Sequence, residues 1–380
     1  MIVYILTFAL SLIGVRMADL WYDDTRKFIS YSILAVMPPI LIAGLRDYSV
    51  GFDVEVYVTI FNGIANNGQN LIEFLESYPA IEVGYLFLTF VVAQLTDQYF
   101  VLLFLIHILI IIPLYVTAMK WREYLSPTLF MFVFYMIFFQ ESLSIVRQSL
   151  SMSFSILGFT LFLEKKHIHF VVCMIIAYLF HQTAIIALSF PIVYYVVDRY
   201  SFRETYKIYV VLVLLIVMLF VNLDSILIWM IENGYIDFKF LKYTTADNTF
   251  VPVLGAANFV VKIVTIAFII YILFLYNFDT FIKFVLVMAL LDMVFSLCAL
   301  ITQPLDRLSL YYRLMSCISI PYLIHNYPVL FLDKDVPYRK PVVSMFCILL
   351  FAYWFYVYIL GDYDQTSDYQ FSNTLFLWYT

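Results

Sequence analysis

Apolar runs of roughly membrane-spanning length follow one another along the chain, with only short polar breaks between them. They are read at about 1–17, 28–45, 80–95, 99–119, 125–140, 146–163, 168–180, 183–197, 206–222, 256–276, 281–301, 307–325 and 342–360. A bilayer core about 30 Å thick takes about 20 apolar residues per helical crossing, so about twelve or thirteen helices account for nearly the whole chain. Charged residues make up 13% of the 380 positions, where a water-soluble globular chain has about 25%. That deficit excludes an ordinary soluble enzyme. The expected fold is all-α: residues 1–380 form a single transmembrane helical domain, a polytopic membrane protein. The first run lacks a basic flank and a cleavage site and is expected to persist as the first helix.

The runs 80–95, 168–180 and 183–197 fall below the ~17 residues that span a bilayer, which predicts tilted or half-spanning helices, or arms of a hairpin that dips into the membrane. Loop charges predict orientation, because Lys and Arg collect on the cytoplasmic side. Arg16 to Lys27, Lys120 to Arg122, Glu164 to Lys166, Arg199 to Lys207 and Lys334 to Lys340 are therefore expected inside. The breaks 46–79 and 223–255 and the tail 361–380 then fall outside. Alternation fails once, and 80–95 is the run expected not to cross fully. In 46–79, apolar residues at helical spacing (Val54, Tyr57, Val58 and Phe61, then Leu71, Phe74 and Leu75) predict amphipathic helices on the membrane surface, and 223–255 reads similarly.

Ionisable groups within such a chain cost several kcal/mol unless paired or in a wet cavity, so they are the functional candidates. Four groups stand out. After the second run comes Arg46, then Gly51-Phe52-Asp53, with Asp53 and Tyr57 on one helical face and Asp53 placed to cap that helix; the plain structural alternative is an Arg46 reaching for lipid head groups. Arg147 and Gln148 open a long helix, where a guanidinium beside free N–H groups makes a phosphate cradle, unless Arg147 merely pairs with Glu141. His181-Gln182-Thr183 interrupts two short runs, which places a proton-transfer group at a hairpin tip or a satisfied core histidine there. Last, Arg307 and Tyr311 share a face while Arg313 lies about 9 Å deeper and requires an anionic partner. Arginines on several helices suit a lipid with a phosphorylated head group and need no metal.

The four cysteines, Cys173, Cys298, Cys317 and Cys347, form no CxxC pair and stand in apolar stretches, which argues against zinc and disulfides. Basic residues are few and scattered, which argues against nucleic acid.

The order of motifs, Leu45-Arg46 to Gly51-Phe52-Asp53 to Tyr57, Glu82-Val83-Gly84-Tyr85, Arg147-Gln148-Ser149, Lys165-Lys166 to Phe180-His181-Gln182-Thr183-Ala184, and Arg307 to Tyr311, Tyr312 and Pro321, resembles the Wzy/EpsG family of polysaccharide polymerases. The resemblance covers roughly residues 1–325. Two positions depart from it, Ser149 and the aromatic Phe52. The resemblance implies a GT-C-like, cofactor-free and metal-independent glycosyltransferase of the bacterial plasma membrane. It would move an undecaprenyl-diphosphate-linked oligosaccharide en bloc onto a second lipid-linked repeat unit at the outer face, lengthening a capsule, exopolysaccharide or O-antigen. A chain-length regulator and a flippase are the implied protein partners. Arg147, Arg307 and Arg313 would clamp the diphosphate, with Arg46, Tyr57, Gln148 and Tyr311 contacting substrate. The base is ranked His181 and Asp53 ahead of Glu82. A lipid-linked oligosaccharide flippase and an O-antigen-ligase-like transferase are the alternatives; a transporter would show internal repeats and midplane polar groups, and these are not evident.

The charge pattern generates a topology test. A cysteine introduced at Ser367 is expected to react with an impermeant thiol reagent in intact cells; protection of that site would reverse the orientation.

Overall fold

The computed structural model describes residues 1–67, 70–200, 214, 218, 222–234, 256–275, 279–299, 304–327 and 339–372. The run 206–222, most of the loop 223–255, most of Lys334 to Lys340 and the tail after Ser372 lie outside the described residues. Elsewhere helices occupy the positions of the apolar runs: α1 Ile2–Leu20, α2 Thr25–Gly44, α3 Val54–Asn67, α4 Leu71–Ser77, α5 Val83–Leu95, α6 Tyr99–Lys120, α7 Pro127–Ile137, α8 Phe139–Ser144, α9 Val146–Leu163, α10 His167–Phe180, α11 Ser189–Arg199, α12 Leu223–Glu232, α13 Ala256–Leu275, α14 Thr280–Cys298, α15 Pro304–Leu314, α16 Ser316–Asn326 and α17 Arg339–Trp354. Among the described residues the only β pairing is one isolated bridge, Arg46 to Phe371. The protein is an all-α, multi-pass membrane protein.

Six segments among the described residues are long and apolar enough to cross a bilayer: α1, α2, α6, α9, α14 and Pro341–Leu360. Others are short. α5, with 13 residues, extends only about 20 Å. The runs 125–140 and 307–325 each split, at Phe138 and at Met315, and 183–197 divides into a 3₁₀ segment, Gln182–Leu188, followed by α11. A broken helix at membrane depth must have its freed backbone groups satisfied by other parts of the protein. At the α7–α8 break the Tyr358 hydroxyl donates to the Ile137 carbonyl at 2.6 Å, and the Trp354 indole N–H donates to Gln140 Oε1 at 2.7 Å. Tyr358 belongs to a π-helical turn, Phe355–Leu360, that extends α17.

The chain divides into two compact units, one of Met1–Ala187 with Ile320–Thr380 and the other of Leu188–Ser319. In the first unit α1 packs on α2, α2 on α6, α6 on α9 and α9 on α10. Aromatic rings fill its centre: Phe8 stacks on Tyr135 at 4.7 Å and meets Phe139 and Trp354 edge-on. The outward faces stay apolar, as with Ile168, Val171, Val172 and Ile175 on α10, all about half exposed or more, which suits a helix facing lipid. At one end of this unit Lys120 and Lys166 both pair with Glu164, and the Arg122 guanidinium lies over the Tyr22 ring. At the other end the tail beyond Gly361 runs against the loop between α2 and α3. In the second unit α14 packs on α11, α13 and α15. All four cysteines are free.

In 46–79 the chain forms two helices, α3 and α4, the latter opened by a capping box between Asn70 and Glu73. α5 approaches α10 so closely that a Cβ on Gly84 would lie 2.7 Å from the Leu179 carbonyl oxygen. This contact sets Glu82 beside Gln182. Gly84→Val is therefore expected to push α5 off α10 and to lower stability by about 1–3 kcal/mol, the usual range for overpacking, measured by thermal unfolding of the detergent-solubilised protein; Gly84→Ala should lower it less.

Candidate active site

The loop from Leu45 to Asp53 is held from both sides. On its inner side, Arg46 is fully buried and donates to three backbone carbonyls: Nη2 to Leu143 at 2.7 Å, Nε to Val50 at 3.1 Å and Nη1 to Ala43. Burial pulls its pKa down to about 10, so it remains a cation at neutral pH. Gly51 presses on the same Leu143 carbonyl; its φ of +108° and a would-be Cβ contact of 2.5 Å leave room for glycine alone. On the outer side, the Gly51 and Phe52 N–H groups donate to the carbonyls of Gln365 and Asp364 at 3.2 and 3.1 Å, Asp47 N–H to Gln370 and Ser372 N–H to Leu45. The lipid-facing alternative for Arg46 is corrected: its guanidinium is sealed from solvent and engaged by three carbonyls, the geometry of a structural pin.

The loop delivers Asp53, half-buried, to the start of α3, where its N–H donates to Ser144 Oγ at 3.4 Å. One turn on, Tyr57 is buried, and its hydroxyl accepts from Arg147 Nε at 3.1 Å. Arg147 is the second residue of α9, as the sequence predicts. Its guanidinium carbon lies 5.4 Å from the Tyr57 ring centroid and 5.9 Å from that of the fully buried Tyr85, within cation–π range. Its Nη1 forms an ion pair with Glu82 Oε2. The carboxylate that meets Arg147 is thus the distant Glu82 and not the neighbouring Glu141, which is buried in α8. Glu82 precedes the first residue of α5 without capping it, and its other oxygen, Oε1, accepts the Gln182 N–H at 3.3 Å. Gln148 is buried.

Next to Gln182, His181 closes α10 and is 8% exposed. Its Nδ1 lies 2.6 Å from Thr183 Oγ1 and 3.4 Å from the Thr183 backbone nitrogen. A ring that donates from Nδ1 to the Thr183 hydroxyl keeps the Nε2 lone pair for the site, and one that accepts there presents Nε2–H instead. The structure therefore brings Tyr57, Glu82, Arg147 and His181 together, all from separate sequence motifs, and adds Tyr85.

The remaining candidates belong to the second unit. Arg307 is exposed on α15 and Tyr311 is buried. Arg313 is buried, with Nη2 donating to Asp306 Oδ1 at 3.2 Å and to Ser309 Oγ at 3.3 Å, and Nε 4.0 Å from Asp292 Oδ1. The anionic partner that its depth requires is supplied by the chain itself. Asp292 also pairs with Lys262, whose Nζ donates to Ser296 Oγ at 2.5 Å. Sequence reasoning passed over Lys262 and Asp292, although each is an ionisable residue inside an apolar run and the two could have been matched to Arg313 on that ground. Among the described residues no group of three or more His, Cys, Asp or Glu side chains is arranged to hold a metal ion.

The sequence profile of the EpsG family matches residues 29–371, most of the chain and every residue of both clusters. The protein belongs to the EpsG family. EpsG proteins are Wzy-like polysaccharide polymerases, so the general role of this chain is glycosyltransferase-like polymerisation in polysaccharide biosynthesis. Comparison with curated proteins and with solved structures gave no match. The EpsG protein pairs Arg147 with Glu82 and Lys262 with Asp292 across helices, and the buried pair should be costly to break singly. Asp292→Asn, which leaves Lys262 buried without a carboxylate, is expected to cost about 3–5 kcal/mol, whereas Lys262→Met combined with Asp292→Leu should recover most of that loss. Unfolding midpoints of the two variants in detergent decide it.

Proposed function

We propose that this EpsG-family chain joins undecaprenyl-diphosphate-linked repeat units by en bloc glycosyl transfer at the outer face of the bacterial plasma membrane. The growing glycan on one lipid diphosphate is the donor, and a sugar hydroxyl of a second lipid-linked unit is the acceptor. The observation that carries this reading is the placement of Arg147. It stands in the first turn of a spanning helix, where unpaired N–H groups and the helix dipole favour an anion. Two tyrosine rings and a tyrosine hydroxyl contact its guanidinium, and its side chain keeps 16% exposure.

In that geometry the bond from the donor's anomeric carbon to the diphosphate oxygen breaks, and the electron pair leaves with the lipid diphosphate. Arg147 stabilises the charge that accumulates there, a service worth several kcal/mol in a site with little water. The acceptor oxygen forms the new glycosidic bond and gives its proton to a base. Asp53, Glu82 and His181 are the titratable groups at hand. No metal is required where guanidinium supplies the countercharge. The charge pattern of the loops supports an outer-side position for the Asp53 loop and the tail, which pack together.

Purified protein given synthetic undecaprenyl-diphosphate repeat units is expected to produce a ladder of lengthened glycans. Arg147→Lys keeps the charge but loses the forked geometry, and it should reduce the ladder at least about 100-fold while leaving the protein in the membrane; Arg307→Lys should also abolish elongation. Movement of lipid-linked units across a vesicle bilayer without any ladder would replace the reading with that of a flippase.

A further inference from the structure

Two ion pairs in this chain are built differently, and the difference bears on how the base is controlled. Lys262 and Asp292 are sealed, with side chains 5% and 8% exposed. Arg147 and Glu82 are more open, at 16% and 11%. Arg147 is also held independently of its carboxylate: Nε is fixed by the Tyr57 hydroxyl, and the Tyr57 and Tyr85 ring centroids lie 5.4 and 5.9 Å from its guanidinium carbon. Glu82 binds through Nη1 alone, so its departure would leave the guanidinium where it is. The carboxylate has its own tether, the Gln182 N–H on Oε1, which keeps it beside the same site once it releases Arg147.

We propose that Glu82 is a placeholder for the donor's diphosphate on Arg147: the diphosphate displaces it, and the released carboxylate becomes the general base for the acceptor hydroxyl. The proposal rests on the lipid-diphosphate reading above. A diphosphate carries more negative charge than a carboxylate and offers two oxygens to a guanidinium fork, so it outcompetes Glu82 for the same cation. A carboxylate clamped by a guanidinium is a weak base; one whose cation has been taken up by another anion in a poorly solvated site is a stronger one. The competing group at the site, His181, is 8% exposed and contacts Thr183 Oγ1 through Nδ1 at 2.6 Å.

The step balances as follows. The acceptor O–H transfers its proton to Glu82 as its oxygen attacks the anomeric carbon. The carbon–oxygen bond to the diphosphate breaks, and lipid diphosphate departs bearing the electron pair. On its release, Glu82 returns its proton to the departing diphosphate or to water and pairs again with Arg147. Base strength therefore arises only when a donor is seated, so hydroxyls, including water, are not activated at an unloaded site.

The discriminating variant is Glu82→Gln, which keeps the shape and an acceptor for Gln182 but removes the charge. Binding of undecaprenyl diphosphate without glycan is measured on purified full-length protein, alongside the ladder assay. The expected result is a split: binding tightens several-fold because the internal competitor is gone, while polymerisation falls by about 100-fold or more, the usual loss for a missing base. Binding and polymerisation falling together would mean that Glu82 merely positions Arg147, and would overturn the proposal, as would a full ladder from the variant. Glu82→Asp serves if the glutamine variant unfolds: its shorter arm should also bind the lipid more tightly than wild type and polymerise more slowly, and weaker binding would count against the placeholder role. Wild-type protein that neither binds the lipid diphosphate nor makes a ladder would instead remove the substrate reading itself, so the two failures are distinguishable.

Discussion

A hydrocarbon solvent tolerates an ionised side chain only beside its counter-charge, and the described charged clusters of this EpsG protein obey that constraint. Arg147 meets Glu82, Lys262 meets Asp292, and Arg313 meets Asp306. Arg46 is satisfied by carbonyls alone, which works because three of them converge on one guanidinium. The ion pairs differ in purpose according to their seal. A closed pair fixes helices; an open one, backed by tyrosines, leaves a cation that a substrate anion can claim.

The same solvent explains why broken helices are permitted. Between α7 and α9 the chain turns twice within a few residues, at Phe138 and Ile145, and this irregular stretch carries Leu143, whose carbonyl receives Arg46 and abuts Gly51. Tyr358 and Trp354 satisfy the neighbouring Ile137 carbonyl and Gln140 side chain. The irregularity is what brings the first turn of α9, and so Arg147, up to α3 and α5.

Much of this was legible in the residues. Apolar runs located the helices, because a spanning helix has to be continuously apolar, and the amphipathic spacing of Val54, Tyr57, Val58 and Phe61 located α3. Arg147 and His181 were conspicuous as polar groups in apolar surroundings. Pairing was harder to read. The local carboxylate Glu141 was the obvious partner for Arg147, whereas the observed one, Glu82, comes from a short helix brought near by the close contact at Gly84. The burial of Arg46, a residue read as a substrate contact or as reaching for head groups, was hidden because its acceptors are backbone carbonyls, which leave no trace in the side-chain pattern. Lys262 and Asp292 were overlooked for the opposite reason: each was a single charge inside a long run whose hydropathy dominated the reading.

The strap formed by residues 361–372 has a bearing on biogenesis. Asp364 and Gln365 supply the carbonyls that receive Phe52 and Gly51, and the Tyr4 hydroxyl donates to the Thr366 carbonyl. The earliest and the latest described parts of the chain are thus tied to one another across the loop that ends at Asp53. During synthesis that loop enters the membrane long before its acceptors exist. The loop can therefore take up the contacts seen here only once residues 361–372 have followed it into place.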